Sequence, residues 1–600
     1  MLLWNGPRCG PGVAIEQKEG ASVAKAEAAV PIRANRARRA VLATQGGTEL
    51  SRSALSVLAA VPHWWERRVD AAKIDNGQTL GIDAAVAFPS ALGWEGLEAV
   101  PPREDLFDAS PEELADAYVV ALDDAVRTAN GRHYTPIALA HELYEQAVMS
   151  LRGRPTGLVW DPACGAGMLL LPALRAWLDG QRSTRPEIVL AAVGAAVGGR
   201  DLDSAAVWLG NVLLASELLP VWAKVPPSRR RPLPELLEVG NGLDAPSAIP
   251  QVTILNPPYG RVRLSPEDRK RWQHVVYGHA NRYGLFMASA VEHLASGGAV
   301  SALVPAGWLG GSYFQRLRSY LASTAPLTNI TYVTDRAGVF STGVLQETVL
   351  VTFRKGKAPQ TVACDRLTMN GKTLRTAIGK KRVPQEADRP WLLPRHGGDV
   401  PLVKAAQRMS KRLEDYGWSV STGPLVWNRH KPQLSASPSE SSVKIVWAGD
   451  LEGGELHEDP ARDKLRYLQL RDKDRRVLVL DRPAVLVQRT TAPEQPRRLL
   501  AAALDTETLT RWGGRVSVEN HVNVLTCEHE DSLLTPRLLT ALLDSDALDR
   551  LYRCLTGSVA VSAYELAALP LPGPKLLQEW AALPLERLPQ AINAGYGLDS

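Results

Sequence analysis

Six hundred residues exceed what a single hydrophobic core organises, so two to four domains are expected. Hydrophobic residues make up 45% of the chain and charged residues 22%, which excludes a disordered or fibrous protein. A net charge of +5 permits a polyanionic partner without requiring one, and the five scattered cysteines (Cys9, Cys164, Cys364, Cys527, Cys554), with no CxxC pair, argue against a disulfide framework or structural zinc.

In chain order, residues 1 to about 50 are rich in Ala, Gly and Arg without sustained periodicity and are expected to pack poorly. No leader pattern opens the chain, and the longest apolar stretch, Ile188 to Val197, is too short and too rich in Ala and Gly to cross a bilayer. A cytoplasmic protein without membrane association is expected. Residues 51–109 read as globular, with Trp64, Trp65 and the alternation Ile82 to Phe88 as core, so 1–109 forms an N-terminal extension. Ser110-Pro111-Glu112-Glu113 then opens a helix: Ser110 caps, Pro111 suits the first helical position and Glu113 completes a capping box. A second helix follows from about Ile137.

From Gly157 to Phe353 strands alternate with helices, which predicts a mostly parallel sheet covered on both faces. The seven candidate strands are Leu158–Asp161, Ala196–Asp201, Glu238–Asn241, Val252–Asn256, Ala299–Val304, Ile330–Val333 and Glu347–Phe353, the last two forming an antiparallel hairpin at one edge. Residues 110–355 thus read as one doubly wound α/β domain and 356–400, rich in Lys, Arg and Pro, as a linker. Residues 401–600 mix strands (Val443–Val446, Val477–Leu480, Val485–Gln488, Val522–Leu525) with helices over 535–546 and 547–555, an α+β domain.

Four turns at the carboxyl ends of these strands carry the candidate chemistry, because ligands of such sheets bind there. Asp161-Pro162-Ala163-Cys164-Gly165-Ala166-Gly167 leads from the first strand into a helix expected over Met168–Leu178. Gly165 and Gly167 allow a tight turn and close approach of a ligand, and the helix start offers free N–H groups. The third glycine of a dinucleotide fingerprint and the Gly-Lys-Ser/Thr of a P-loop are both missing. Asp201, ending the second strand, can accept both hydroxyls of a ribose, while Asp203 suits the cap of the next helix. Asn241, ending the third strand, is placed for an adenine ring edge, or is a simple turn residue before Gly242. After the fourth strand, Asn256-Pro257-Pro258-Tyr259 makes a stiff, aromatic-lipped pocket for a planar amino group: the prolines fix φ and so fix the acceptors.

As a set these residues resemble the class-γ DNA N6-adenine methyltransferases of bacterial restriction systems. The order carries the likeness: Tyr134-Thr135-Pro136, Asp161–Gly167, Asp201, Asn241, Asn256–Tyr259, Tyr283-Gly284-Leu285-Phe286, Val304-Pro305 and Gly338-Val339-Phe340. It is looser beyond 401, through Ser421-Thr422-Gly423, Asn520-His521-Val522-Asn523 and Gly557-Ser558. The resemblance implies a Rossmann-like, S-adenosylmethionine-dependent methyltransferase domain with a C-terminal target recognition domain. It implies S-adenosylmethionine as cofactor, held by Thr135, Asp161, Ala163, Gly165, Gly167, Asp201, Asn241 and Phe286, and no metal. It further implies Asn256, Pro257, Pro258 and Tyr259 as the catalytic loop, with Tyr259 and Phe340 on either side of a flipped-out adenine. Double-stranded DNA would be the partner of a monomeric prokaryotic protein in the cytoplasm or nucleoid, and a separately encoded restriction endonuclease would be its cognate. Two departures stand out. Forty residues separate Asp161 from Asp201, against about 20 in a simple unit, so an insertion is expected there. Asn241 occupies the place of a usual acidic residue, with Asp244 as the other candidate for the adenine contact.

The chemistry can be argued without the likeness. An adenine amino nitrogen is a poor nucleophile because its lone pair is delocalised into the ring. The Asn256 carboxamide oxygen and the Pro257 carbonyl can accept its two N–H bonds and favour a pyramidal nitrogen, and a base must leave the duplex to reach them. Phosphate contacts are sought among Arg429, Lys431, Arg466, Arg471, Arg475, Arg476, Arg489, Arg497 and Arg498, with Arg489 and the segment Asn428, Arg429, Lys431 preferred. Competing readings are a methyltransferase of protein glutamine, which presents a similar planar amide, and an inactive DNA-binding subunit. A fused nuclease finds no Asp…Glu-x-Lys constellation in either terminal region.

Overall fold

Four short strands build the parallel heart of one sheet: β1 (Val159–Asp161), β2 (Val197–Asp201), β3 (Leu237–Val239) and β4 (Val252–Leu255). The computed structural model describes residues 50–74, 100–122, 135–334, 347–356, 359, 361–369, 373–382, 384, 387–458, 464–490, 495–529, 531–555 and 560–598. Tyr134, the 82–88 alternation, Phe340 and Gly557-Ser558 lie outside them.

The sheet continues through β5 (Ala299–Pro305), β6 (Leu327–Thr334), β7 (Thr348–Arg354), β8 (Thr361–Thr368) and β9 (Leu374–Arg382). Its order is β9-β8-β6-β7-β5-β4-β1-β2-β3. Strand β7 is antiparallel to both neighbours and β9 to β8, while every other pair is parallel. This is a mixed α/β fold with a mostly parallel sheet, but of nine strands rather than seven. The β6–β7 hairpin is internal, because β7 inserts between β5 and β6. Residues 361–368 and 374–382, expected as linker, are the two added strands: Val362, Cys364 and Leu367 turn inward, their spacing broken by a register shift after Cys364 and obscured by the surrounding Lys and Arg.

Helices cover both faces. Helix α1 (Arg52–Ala71) buries Val57, Val61, Trp64 and Trp65, and the Trp64 indole donates to the Ala109 carbonyl at 2.7 Å. Helix α2 (Pro111–Ala121) starts with the expected capping box, Glu113 N–H donating to Ser110 Oγ at 3.2 Å and Ser110 N–H to Glu113 Oε2 at 2.7 Å. Helix α3 (Ile137–Leu151) lies along β4, β5 and β7. Between β1 and β2 the chain inserts two helices, α4 (Leu171–Gly180) and α5 (Pro186–Ala196), which accounts for the long Asp161–Asp201 spacing. Helix α6 (Ser204–Trp222) is long and apolar enough to cross a membrane, yet 67% of its apolar window is buried within the protein, where α1 and α2 pack on it.

Beyond residue 417 two four-stranded sheets form, one containing Ser442–Val446 and Val516–Val518, the other Ala484–Gln488 and Val522–Cys527, followed by helices Pro536–Leu543 and Asp546–Leu555. The expected strand at Val477–Leu480 is instead the end of a four-residue helix, Arg475–Leu478. The 400/401 boundary does not hold either, for helix Asp399–Ala406 runs across it. Buried contacts tie the two parts together. Arg318, with no solvent exposure, donates to the carbonyls of Trp308 (2.7 Å), Gly311 (2.8 Å) and Asp388 (2.6 Å) and to the Tyr564 hydroxyl (2.9 Å).

Candidate functional site

Strand order reverses between β1 and β4, so their carboxyl ends open the crevice where doubly wound sheets bind ligands. Val159 and Trp160 of β1 pair with Val252 and Thr253 of β4. The glycine turn after Asp161 and the loop from Asn256 therefore leave the sheet side by side.

The first wall is the glycine turn. Gly165 and Gly167 take φ of +49° and +78°, a region that favours glycine. Asp161 is fully buried; its Oδ1 accepts the Ala163 N–H at 2.9 Å, while Oδ2 has no hydrogen-bond partner. Burial, reinforced by the neighbouring Asp201 charge, pushes its carboxyl up to about 8. Asp201 braces the turn across the sheet: Oδ2 accepts the Gly165 N–H and Oδ1 the Asp203 N–H, both at 2.9 Å. Asp203 caps α6 through the Ala205 N–H at 3.1 Å. Helix α4 starts at Leu171 rather than Met168, because residues 165–170 spend themselves on turns.

The loop after β3 forms the second wall. Asn241 lies two residues past the strand and is exposed; its Oδ1 accepts the Leu243 N–H at 3.2 Å and its Nδ2 faces Asp244 Oδ1 at 3.4 Å, a turn-forming arrangement. Gly242 presses on the glycine turn so closely that a Cβ there would sit 1.7 Å from the Pro162 carbonyl oxygen and 2.9 Å from the edge of the half-buried Phe286 ring. Arg200 draws this loop inward by donating to the carbonyls of Asp244 (3.2 Å) and Ala245 (3.3 Å).

The third wall is the Asn256 loop. Asn256 Nδ2 donates to Thr135 Oγ1 at 2.8 Å, and Asn256 Oδ1 lies 3.0 Å from the Tyr259 hydroxyl. That hydroxyl is also 3.2 Å from the Leu303 carbonyl oxygen. One O–H proton thus faces two acceptors, and donating it to Leu303 leaves the Asn256 lone pairs to another donor. Burial pushes the Tyr259 phenol well above its ordinary range, so it stays a donor. Its ring stands edge-on to Tyr283, with centroids 6.2 Å apart. Thr135, expected from the sequence as a cofactor contact, is placed by the start of α3 with its hydroxyl against Asn256. No sequence signal gave that pairing, which spans 121 residues. Among the described residues, no three His, Cys, Asp or Glu side chains are grouped to hold a metal.

In the C-terminal part, Asn428, Arg429 and Lys431 are exposed, with Lys431 Nζ 5.0 Å from the centre of the Trp427 ring. Arg489 is half-buried and donates to the Asn520 carbonyl at 3.1 Å. These residues neighbour in sequence the walls of one cavity of about 600 Å³, lined by Trp427, Trp447, Gln488, Thr490, Glu519 and His521. Three other candidate cations are committed internally. Arg466 forms a buried two-pronged pair with Asp450 at 2.9 Å, Arg471 pairs with Asp474 at 2.7 Å and Arg497 with Asp546 at 2.8 Å. Alternating acids and bases in the sequence signalled such pairing for Arg471; for Arg466 nothing local did.

Comparison with known proteins places this site in context. Residues 251–340 match the family described as Eco57I restriction-modification methylase. The chain is 25% identical over 332 residues to Type II methyltransferase M.BsuBI of Bacillus subtilis, covering 54% of this chain and 65% of that protein. It is 26% identical over 347 residues to Type II methyltransferase M.PstI of Providencia stuartii, covering 55% and 66%. The match therefore spans just under two thirds of either relative's length. Among solved structures, the Type IIL restriction-modification enzyme MmeI in complex with DNA shares the fold, with a TM-score of 0.50 at 14% identity over 86% of this chain and 82% of that one.

Proposed function

We propose that this chain is a site-specific DNA adenine-N6 methyltransferase using S-adenosylmethionine, the modification enzyme of a restriction–modification system. The observation that carries the reading is the Asn256 carboxamide, fixed between two hydroxyls at the carboxyl end of β4, beside the glycine turn of β1. The similarity to restriction–modification methyltransferases supports it.

The residues of the first two walls fit the cofactor. The unpartnered Asp161 Oδ2, the positive-φ glycines and the Phe286 edge under Gly242 form a cradle with one buried polar atom to spare. Asp161, Ala163, Gly165, Gly167, Asp201, Asn241 and Phe286 would hold it, and when bound it supplies an electrophilic methyl group on a cationic sulfur. Asn256 Oδ1 accepts one hydrogen of the target amino group once the Tyr259 proton turns to Leu303, and the Pro257 carbonyl accepts the other. The acceptors are in place before reaction, so little reorganisation is left for the transition state. Extruding the base costs a few kcal/mol, of which stacking on Tyr259 returns about 1–3 kcal/mol. The C-terminal part reads the DNA sequence, with Asn428, Arg429, Lys431 and Arg489 at the phosphates.

Expression in a methylation-deficient host followed by modification-sensitive sequencing tests the proposal. N6-methyladenine at one recurrent site is expected, and its loss in Asn256→Ala with cofactor affinity retained assigns the loop. Genomic DNA left unmodified by a folded, cofactor-binding protein would refute the activity.

A further inference from the structure

Strand β8 runs parallel to β6, and β9 returns antiparallel, so Thr361 and Arg382 pair at the amino edge of the sheet. The loops of the proposed reaction leave from the carboxyl edge. At that opposite edge, between the end of β9 and helix Asp399–Ala406, lies a cleft of about 710 Å³. This is within the range of pockets that enclose small organic ligands. Lys380, Lys381 and Arg382 line it from β9, and Lys404 and Arg408 from the helix and its exit. Arg389 and Arg412 complete the ring, and among the described residues no carboxylate lines it.

Four of these seven charges are unanswered among the described residues. Arg389 reaches the exposed Glu414 at 3.3 Å, and Arg412 donates to the carbonyls of Met409 and Lys411 at 3.2 and 2.9 Å. Lys380, Arg382, Lys404 and Arg408 are exposed and have no ion-pair partner among the described residues. Lys381 is buried, its Nζ donating only to the Val403 carbonyl at 3.3 Å; burial pulls it down to about 7, so a nearby anion would readily recharge it. Apolar residues share the lining, among them Val403, Met409, Leu555 and Pro570. Cations lining an open cleft with partly apolar walls suit a compact ligand of several linked phosphates. A duplex, too wide to enter, would meet only the rim.

We infer that this cleft is a second ligand site, separate from the proposed active site, for a small molecule bearing two or more linked phosphates. Calorimetric titration of the full chain with ATP, and separately with inorganic pyrophosphate, tests it. At least one is expected to bind once per chain, more weakly as salt rises. Tighter binding of ATP identifies a nucleotide, and equal binding identifies the phosphates alone. Saturating S-adenosylmethionine should leave the affinity unchanged, whereas Lys404→Glu with Arg408→Glu, both at exposed positions, should weaken it about tenfold or more at unchanged melting temperature. No binding of either probe at millimolar concentration would overturn the inference. So would displacement by S-adenosylmethionine, indifference to the charge reversal, or a charge reversal that weakens only duplex DNA binding.

Discussion

Thr135→Val is the substitution that most directly tests how Asn256 is held. Valine keeps the shape of threonine but removes the oxygen that accepts the Asn256 Nδ2 proton at 2.8 Å. Thr135 is buried and Asn256 half-buried, so little water replaces the lost acceptor. The cost of an unsatisfied amide in such a position is about 1–2 kcal/mol, a factor of roughly 5 to 30. The amide then gains a rotated alternative in which its N–H₂ turns toward the Tyr259 hydroxyl. That orientation presents a donor where the reaction needs an acceptor, so the loss should appear in kcat and not in cofactor KM. Steady-state transfer of labelled methyl groups into unmodified genomic DNA gives both constants, and a denaturant melt confirms that the variant is folded. A raised cofactor KM with unchanged kcat would assign Thr135 to the cofactor alone, and unchanged constants would remove it from the site.

The buried Asp161 carboxyl is raised from 3.8 to about 8, so the folded chain holds a proton that the unfolded chain has lost. Its contribution is complete below pH 4 and is lost as pH climbs toward 8, at up to about 1.4 kcal/mol per pH unit; in Asp161→Asn this part of the slope should vanish in urea melts, and an identical slope refutes the assignment. Arg318→Met leaves buried carbonyls without their donor and should cost about 3 kcal/mol; a denaturation midpoint equal to the wild type would deny that the two parts are clamped there. Tyr259→Phe frees Asn256 Oδ1 but abandons the Leu303 carbonyl, so a lower melting temperature with partly retained turnover is expected, and full loss of turnover would show that the hydroxyl itself acts. Arg429→Glu with Lys431→Glu should reduce the salt dependence of DNA binding by about one unit of log–log slope for each lost contact, and an unchanged slope places the phosphates elsewhere.

What could be read from the sequence was whatever is local. The Ser110–Glu113 cap, the two glycines after Asp161 and the stop at Asn256 are properties of a few consecutive residues, and each fell where the pattern put it. What escaped was long-range. The pairing of Thr135 with Asn256 and the reach of Arg318 to Tyr564, 246 residues away, leave no periodic trace. The strands β8 and β9 were missed for another reason: β9 buries little besides Lys381, so its residues alternate without the apolar contrast that betrays a strand. Asn241 shows the converse limit, because strand register alone could not say that its side chain would close its own turn.

Strand β9 also ends the sheet, and an unpaired margin of N–H and C=O groups invites another polypeptide to zip onto it. Arg375, Lys380 and Arg382 crowd that margin with like charge, a register shift opposite Cys364 and Asp365 interrupts its ladder, and helix Asp399–Ala406 leans against part of it. Crowded molecules of this protein should therefore repel one another along that border instead of stacking into fibrils.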